Sequence, residues 1–156
     1  MAHAGVLMAV LPGSNDRALA PLVHLEAATP VRWVRRLAVL TAADPTDSLR
    51  LSRSEVSLFR SIREEIATNS GAAELAYRHR PATATDIILA RAALLEMPLP
   101  PDWQLAVAHG AAQRFPVSGA DLMPGLQGKA LGAQLKKLEA RWIASDFALS
   151  RKDLLG

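Results

Sequence analysis

Apolar residues recur at spacings of three and four along the whole chain, and this pattern restricts the chain to helical folds. Two of the apolar stripes are Val56, Phe59, Ile62 and Ile66, and Leu131, Leu135, Leu138 and Trp142. Such spacing places side chains on one face of an α-helix. No stretch shows the sustained alternation of apolar and polar residues that a strand would require. The sequence therefore predicts an all-α fold, an irregular array of short helices without a sheet.

Serine followed by an acidic residue three positions later marks three helix starts, at residues 52–55, 118–121 and 150–153. Thr29-Pro30 predicts another start, with threonine as the cap and proline at the first helical position. A further helix is expected over about residues 85–96, after Arg80-Pro81. These signals predict a succession of helices joined by short turns.

Pro98, Pro100 and Pro101 form a stiff connector between helical segments. With 156 residues, half of them apolar, the chain is long enough for one ordinary domain or for two small helical lobes. We take the connector as the boundary, which predicts two lobes over residues 1–97 and 98–156.

Patterns typical of catalysis and of metal binding are missing from the sequence. It has no cysteine, which excludes disulfides, thiolate metal sites and a cysteine nucleophile. The four histidines lie far apart and lack the close spacing of a metal site. Neither a Walker loop nor a nucleophile-elbow motif occurs, and no carboxylate pair suits two-metal catalysis. The sequence thus predicts no catalytic residue and no metal ligand.

The first eleven residues are apolar but contain no lysine or arginine, unlike the start of a signal peptide. No apolar run approaches the roughly 18 residues that a membrane span needs. We therefore expect a cytoplasmic protein without a membrane partner. Because helix-like sequence starts without a leader, we also expect the chain to begin inside a larger protein.

The formal net charge of +3 has its origin at the C-terminal end. After Gly110 there are seven basic and four acidic residues, and seven minus four equals the net charge of the whole chain. A rotation of about 100° per residue places the cations of the last long helix off its apolar stripe, facing solvent. These cations are Lys129, Lys136, Lys137 and Arg141.

Two places along the chain have the residues of a phosphate site. Gly125 and Gly128 precede the helix that carries Lys129, and free backbone N–H groups at a helix start attract anions. Arg78 and Arg80 form a second basic cluster at a helix end. Both places also have an ordinary interpretation, as a solvated helix face with its usual lysines and as arginines that satisfy a helix dipole.

The C-terminal residues are similar to those of a known family. They run Phe115-Pro116-Val117-Ser118-Gly119-Ala120-Asp121-Leu122-Met123, continue with Leu131-Gly132, Leu135, Leu138 and Glu139, and close with Trp142-Ile143-Ala144-Ser145-Asp146-Phe147. This series resembles the C-terminal end of bacterial CCA-adding tRNA nucleotidyltransferases, a family that includes poly(A) polymerases. Residues 4–7 and 10–12 are similar to the segment that closes the neck of those enzymes. The family usually has a longer loop after Met123 and a proline where Lys129 stands.

The resemblance implies the helical body and tail of such an enzyme, which hold the acceptor and T arms of tRNA. Residues 1–97 would be the end of the neck and the body, and residues 98–156 the tail. The RNA-binding residues would be Lys129, Lys136, Lys137, Arg141, Gly125, Gly128, Arg78 and Arg80.

The catalytic head of the family, which uses magnesium with CTP and ATP, has no counterpart in this sequence. The chain is therefore expected to be inactive alone and to need no cofactor, because two-metal catalysis requires the carboxylates of that head. Its partners would be tRNA and the missing head and neck. The alternative is a helical protein-interaction or oligomerisation module without RNA affinity, docking through residues 2–11.

Overall fold

The computed structural model describes residues 6–46, 48–123 and 125–156. The chain is 61% helical, and the described residues contain no strand, so the predicted all-α class is confirmed. In chain order the helices are α1 (Val6–Val10), α2 (Leu19–Glu26), α3 (Trp33–Leu40), α4 (Arg53–Ile66), α5 (Ala72–Arg78), α6 (Pro81–Leu94), α7 (Trp103–Ala111), a 3-10 turn (Gly119–Leu122), α8 (Gly128–Ala144) and α9 (Arg151–Leu155).

Packing divides the chain into two compact units, Met1–Gly110 and Ala111–Gly156. The sequence-based boundary lay at the proline connector, between residues 97 and 98. The division by packing falls instead between Gly110 and Ala111, at the last residue of α7. Trp103 and Val107 of that helix are buried in the core of the first unit.

Helix α4 begins with the predicted capping box. The Ser52 hydroxyl accepts from the Glu55 N–H, and the Glu55 carboxylate accepts from the Ser52 N–H at 2.7 Å. Ser150 and Asp153 make the same reciprocal bonds at the start of α9. These exchanges satisfy N–H groups that have no partner within the helix, so local sequence alone determines both starts.

Two predicted helix starts are wrong. Helix α3 begins at Trp33 rather than at Pro30, because the Pro30 carbonyl accepts from the buried Arg35 guanidinium at 2.9 Å and the chain stays extended to Arg32. Helix α6 begins at Pro81, ahead of the predicted start at residue 85. Proline fits this first position because its fixed φ is helical and its missing N–H would have no partner there.

Helix α6 lies at the centre of the first unit, where α2, α3, α4 and α5 all pack against it. Ile87, Leu89 and Ala90 of this helix are completely buried, as is Asp86. Apolar side chains surround α6 on several sides, which explains why its sequence lacks a polar face.

The second unit is built on α8, with the 3-10 turn and α9 packed against it. Leu138 and Trp142 are buried, and the Trp142 ring contacts Phe115 and Phe147 at centroid distances of 5.5 and 4.9 Å. These contacts form a small aromatic core. The predicted apolar stripe of α8 therefore faces inward.

Asp121 links the 3-10 turn to α9. Its carboxylate accepts from the Arg151 guanidinium and, at 2.8 Å, from the Ser118 N–H. The hydrogen bond from Arg151, followed by that from Ser118, lowers the pKa of Asp121 from 3.8 to about 2. Because the folded-state pKa is the lower one, this contribution to stability is complete above pH 3.8 and is lost as the pH falls through about 2.

Replacing Arg151 with methionine is expected to raise the pKa of Asp121 toward 3.8, because the largest cause of its depression is removed. A carboxyl carbon NMR titration measures this directly. Asp153 serves as the internal control, since its pKa is lowered by Ser150 rather than by Arg151. A wild-type Asp121 that titrates near 3.8 would show that the pair does not form in solution.

Candidate nucleic-acid interface

Helix α8 presents its cations to solvent, as predicted. Leu138 and Trp142 are buried on one side of it, with Leu131 and Leu135 half-buried. The exposed cations are Lys129, Lys136, Lys137 and Arg141. At 100° per residue they span an arc of about 140°, centred about 160° from the middle of the apolar stripe. We call this surface the basic face of α8.

Small side chains occupy much of the basic face between the cations. They are Ala130, Ala133, Ala140 and Ala144, and all are exposed. The one carboxylate of α8, Glu139, is half-buried and lies about 40° beyond Leu135 in projection. None of the four cations has an ion-pair partner among the described residues. The arc of α8 that carries the four cations therefore contains no carboxylate of this helix, which favours the approach of a polyanion to that side.

The start of α8 leaves its first amides uncapped. Gln127 precedes the helix and its side chain accepts no hydrogen bond there. Gly128 has a φ of +54°, and a Cβ added to it would meet nothing within 4 Å, so no described residue beyond its chain neighbours crowds this point of the helix start. Gly125 is exposed in the loop before them. The expected phosphate site at this helix start is thus accessible, although Pro124 lies outside the described residues.

Arg78 and Arg80 line a cleft in the first unit with a volume of about 920 Å³. Its walls come from α3, α4 and the junction of α5 with α6. The lining residues are Val31, Arg32, Trp33, Val34, Ser54, Glu55, Ser57, Leu58, Ser61, Arg78, His79, Arg80, Ala82 and Thr83. We call it the arginine cleft.

The three arginines of this cleft differ in their partners. Arg78 pairs with Glu74 at 2.8 Å within α5, and Arg32 pairs with the buried Asp86. Arg80 is exposed and makes no ion pair within the described residues. Arg80 is therefore available to an external anion without breaking an existing pair.

Two helices also begin in the arginine cleft. Arg32 precedes α3 and Arg80 precedes α6, and neither side chain caps its helix. The N–H groups of Ala82 and Thr83 lie in the first turn of α6, where no intrahelical acceptor exists. The positive ends of both helix dipoles thus add to the charge of the arginines.

A buried ion network lies behind this cleft and was not predicted from the sequence. Arg35 is completely buried and donates to Glu26 at 2.6 Å and to Asp86 at 2.8 Å. Arg36 also donates to Glu26, at 2.6 Å, and Arg32 to Asp86. The network holds the first turn of α3 against α2 and α6, and it fixes Arg32 in the cleft wall.

Burial opposes the ionised form of Glu26, but hydrogen bonds from Arg36 and Arg35 outweigh it and lower the pKa of this carboxyl. Burial raises the pKa of Asp86, against the attraction of Arg32 and Arg35. Glu26 is therefore ionised at neutral pH, and the network depends on its arginines to keep two carboxylates in the interior.

The structure keeps the candidate RNA-binding residues in two separate groups. Lys129, Lys136, Lys137, Arg141, Gly125 and Gly128 belong to the second unit, and Arg78 and Arg80 to the first. No group of three histidine, aspartate or glutamate side chains among the described residues could hold a metal ion. None of the described helices combines the length and the apolar content that spanning a bilayer requires.

Comparison with known proteins identifies no family for this chain. No family model, curated protein or solved structure matches it.

Proposed function

We propose that this chain binds tRNA, as the body and tail region of a CCA-adding tRNA nucleotidyltransferase, and contributes no chemistry itself. The observation that carries the proposal is the basic face of α8. Four exposed cations lie there without acidic partners among the described residues, and small residues occupy the spaces between them. A surface of this kind suits the sugar-phosphate backbone of folded RNA, which is recognised by shape and charge rather than by base edges.

The sequence resemblance supports the choice of tRNA as the RNA. The similar segment includes residues 115–123 and the apolar stripe of α8, so the residues that resemble the family build the core of the unit that carries the basic face. The four cations of that face are not among the resembling residues. The acceptor and T arms of tRNA form a continuous helical stack that offers a phosphate backbone to such a face. The missing head and neck would supply the magnesium, CTP and ATP chemistry.

Neutralising the basic face should weaken tRNA binding. We expect the triple variant Lys136→Gln, Lys137→Gln and Arg141→Gln to lose about tenfold or more in affinity, because each cation releases counterions from the RNA when it contacts a phosphate. Gel-shift titration of full-length tRNA measures the change.

A matched control removes the same charge elsewhere. Arg50, Arg53 and Lys152 are exposed and lie off the basic face, so their triple replacement with glutamine should change affinity far less. Equal losses of tRNA affinity in the two triple variants would mean that binding depends only on net charge, which would contradict a specific role for the basic face. Binding that neither variant changes would contradict it.

A protein-interaction module without RNA affinity remains the second candidate, and exposed apolar residues favour it. Met8 and Val10 of α1 are 50% and 52% exposed. If this candidate were correct, the chain would self-associate and Met8→Ser with Val10→Ser would abolish association, while tRNA would not bind. Sedimentation of both proteins, with and without tRNA, separates the two functions.

A further inference from the structure

The arginine cleft contains an aromatic side chain that the basic face of α8 lacks. Trp33 is 49% exposed and lines the cleft beside Val31, which is 62% exposed. The other two tryptophans are buried, with Trp103 at 8% and Trp142 at 3% exposure. An exposed indole is costly to leave in water, and this one lines the same cleft as three arginines and two helix starts. This combination of an aromatic surface and positive charge is typical of sites for unpaired nucleotides.

The part of the cleft formed by Arg80 and the start of α6 offers positive charge to a phosphate group. Arg80 has no ion-pair partner within the described residues, and the amides of Ala82 and Thr83 follow it at the uncapped start of α6. The one carboxylate in the lining, Glu55, accepts from the Ser52 N–H at 2.7 Å and serves as the cap of α4. The Glu55 carboxylate is therefore already engaged in a hydrogen bond at the start of α4.

We propose that the arginine cleft holds one unpaired nucleotide of the bound RNA, with its base against Trp33 and its phosphate at Arg80 and the first amides of α6. This inference rests on the proposed RNA-binding function and deepens it, because it assigns a single-stranded part of the RNA to the first unit. The volume of about 920 Å³ is ample for one nucleotide. A free anion would use the arginines but leave Trp33 exposed, so the indole is the feature that selects a base.

Tryptophan fluorescence of the full chain tests the proposal. The probe is a single-stranded RNA trinucleotide with a 5′ phosphate, and the comparison ligand is an abasic trimer with the same sugar-phosphate backbone. We expect the RNA trinucleotide to quench the exposed Trp33 and the abasic trimer to bind more weakly without quenching. Stacking of one base contributes about 1–3 kcal/mol, so Trp33→Leu should weaken trinucleotide binding by about 5- to 150-fold, measured by calorimetry.

Control variants separate the site from a loss of structure. Trp33→Leu keeps an apolar side chain and its thermal unfolding should match that of the wild type. Arg80→Gln should weaken trinucleotide binding, whereas Arg50→Gln, which removes an exposed arginine outside the cleft, should not. Quenching that persists in Trp33→Leu, or equal affinity for the trinucleotide and the abasic trimer, would overturn the proposal.

The two proposals, nucleotide binding in the arginine cleft and tRNA binding by the basic face of α8, can be contradicted independently. If Trp33→Leu loses trinucleotide binding while the α8 triple variant keeps full affinity for tRNA, the nucleotide site stands and the proposed role of α8 falls. If the α8 variant loses tRNA but the trinucleotide neither quenches nor binds, the cleft proposal is wrong and the α8 interface stands.

Discussion

Replacing Arg35 with methionine is expected to lower the free energy of unfolding of the first unit by about 3–5 kcal/mol. The Arg35 guanidinium donates to Glu26 and Asp86, and all three side chains are buried. Methionine fills similar space but leaves both carboxylates with fewer partners in the interior. Since domains are typically stable by about 5–15 kcal/mol, this single change removes a large part of the stability of the unit.

Hydrogen exchange of the amides in residues 6–110, followed at increasing denaturant concentration, measures this change in the free energy of unfolding. The matched control is Arg60→Met, which breaks a pair with Asp44 whose side chains are 57% and 46% exposed. It should cost far less than Arg35→Met, because solvent screens an exposed pair. Adding Asp86→Asn to Arg35→Met should recover part of the loss, because one buried charge is removed. If Arg35→Met costs no more than Arg60→Met, the network does not hold the unit together.

Replacing Gly110 with alanine is expected to destabilise the first unit by about 3 kcal/mol or more. A Cβ at this position would lie 1.9 Å from the Ala73 carbonyl oxygen and 2.6 Å from its carbon. Both are backbone atoms of α5, so no side-chain rotation can relieve the overlap and α7 must move away from α5. The gain in helix propensity, about 1 kcal/mol for glycine to alanine, is too small to compensate.

Gly132→Ala provides the matched control for this clash. Gly132 also lies inside a helix, but a Cβ added there would meet nothing within 4 Å. We expect it to stabilise the second unit by about 0.5–1 kcal/mol through helix propensity. Hydrogen exchange measured on separate peptides gives the stability of each unit independently. Similar effects of the two substitutions would mean that α7 does not pack closely on α5 in solution.

Local signals allowed much of the fold to be predicted from the sequence. The capping boxes at Ser52 and Ser150 and the apolar stripe of α8 depend on residues a few positions apart, so they can be recognised without tertiary structure. The exposure of Lys136 and Lys137 followed from the same periodicity. The start of α3 could not be predicted, because the Arg35 guanidinium that donates to the Pro30 carbonyl is positioned by Glu26 and Asp86, which come together only when the unit packs.

The interior of the first unit was the least predictable part of the site. Glu26 and Asp86 are far apart in sequence, and nothing local indicates that Arg35 joins them. One signal was present: Asp86 is the single acidic residue of α6 and is followed directly by the apolar residues 87–90. A charge in such a position must find a buried partner. Trp33 gave no comparable signal, because its exposure results from where α3 begins.

The dependence of tRNA affinity on salt tests the RNA-binding role of α8 most directly. Each phosphate contact contributes close to −0.9 to the slope of log affinity against log salt for a double helix. We expect the wild-type slope to be steep, and the Lys136, Lys137 and Arg141 triple variant to reduce its magnitude by about 3. The Arg50, Arg53 and Lys152 variant should retain the wild-type slope. Identical slopes for the wild type and the α8 variant would contradict phosphate binding by this helix.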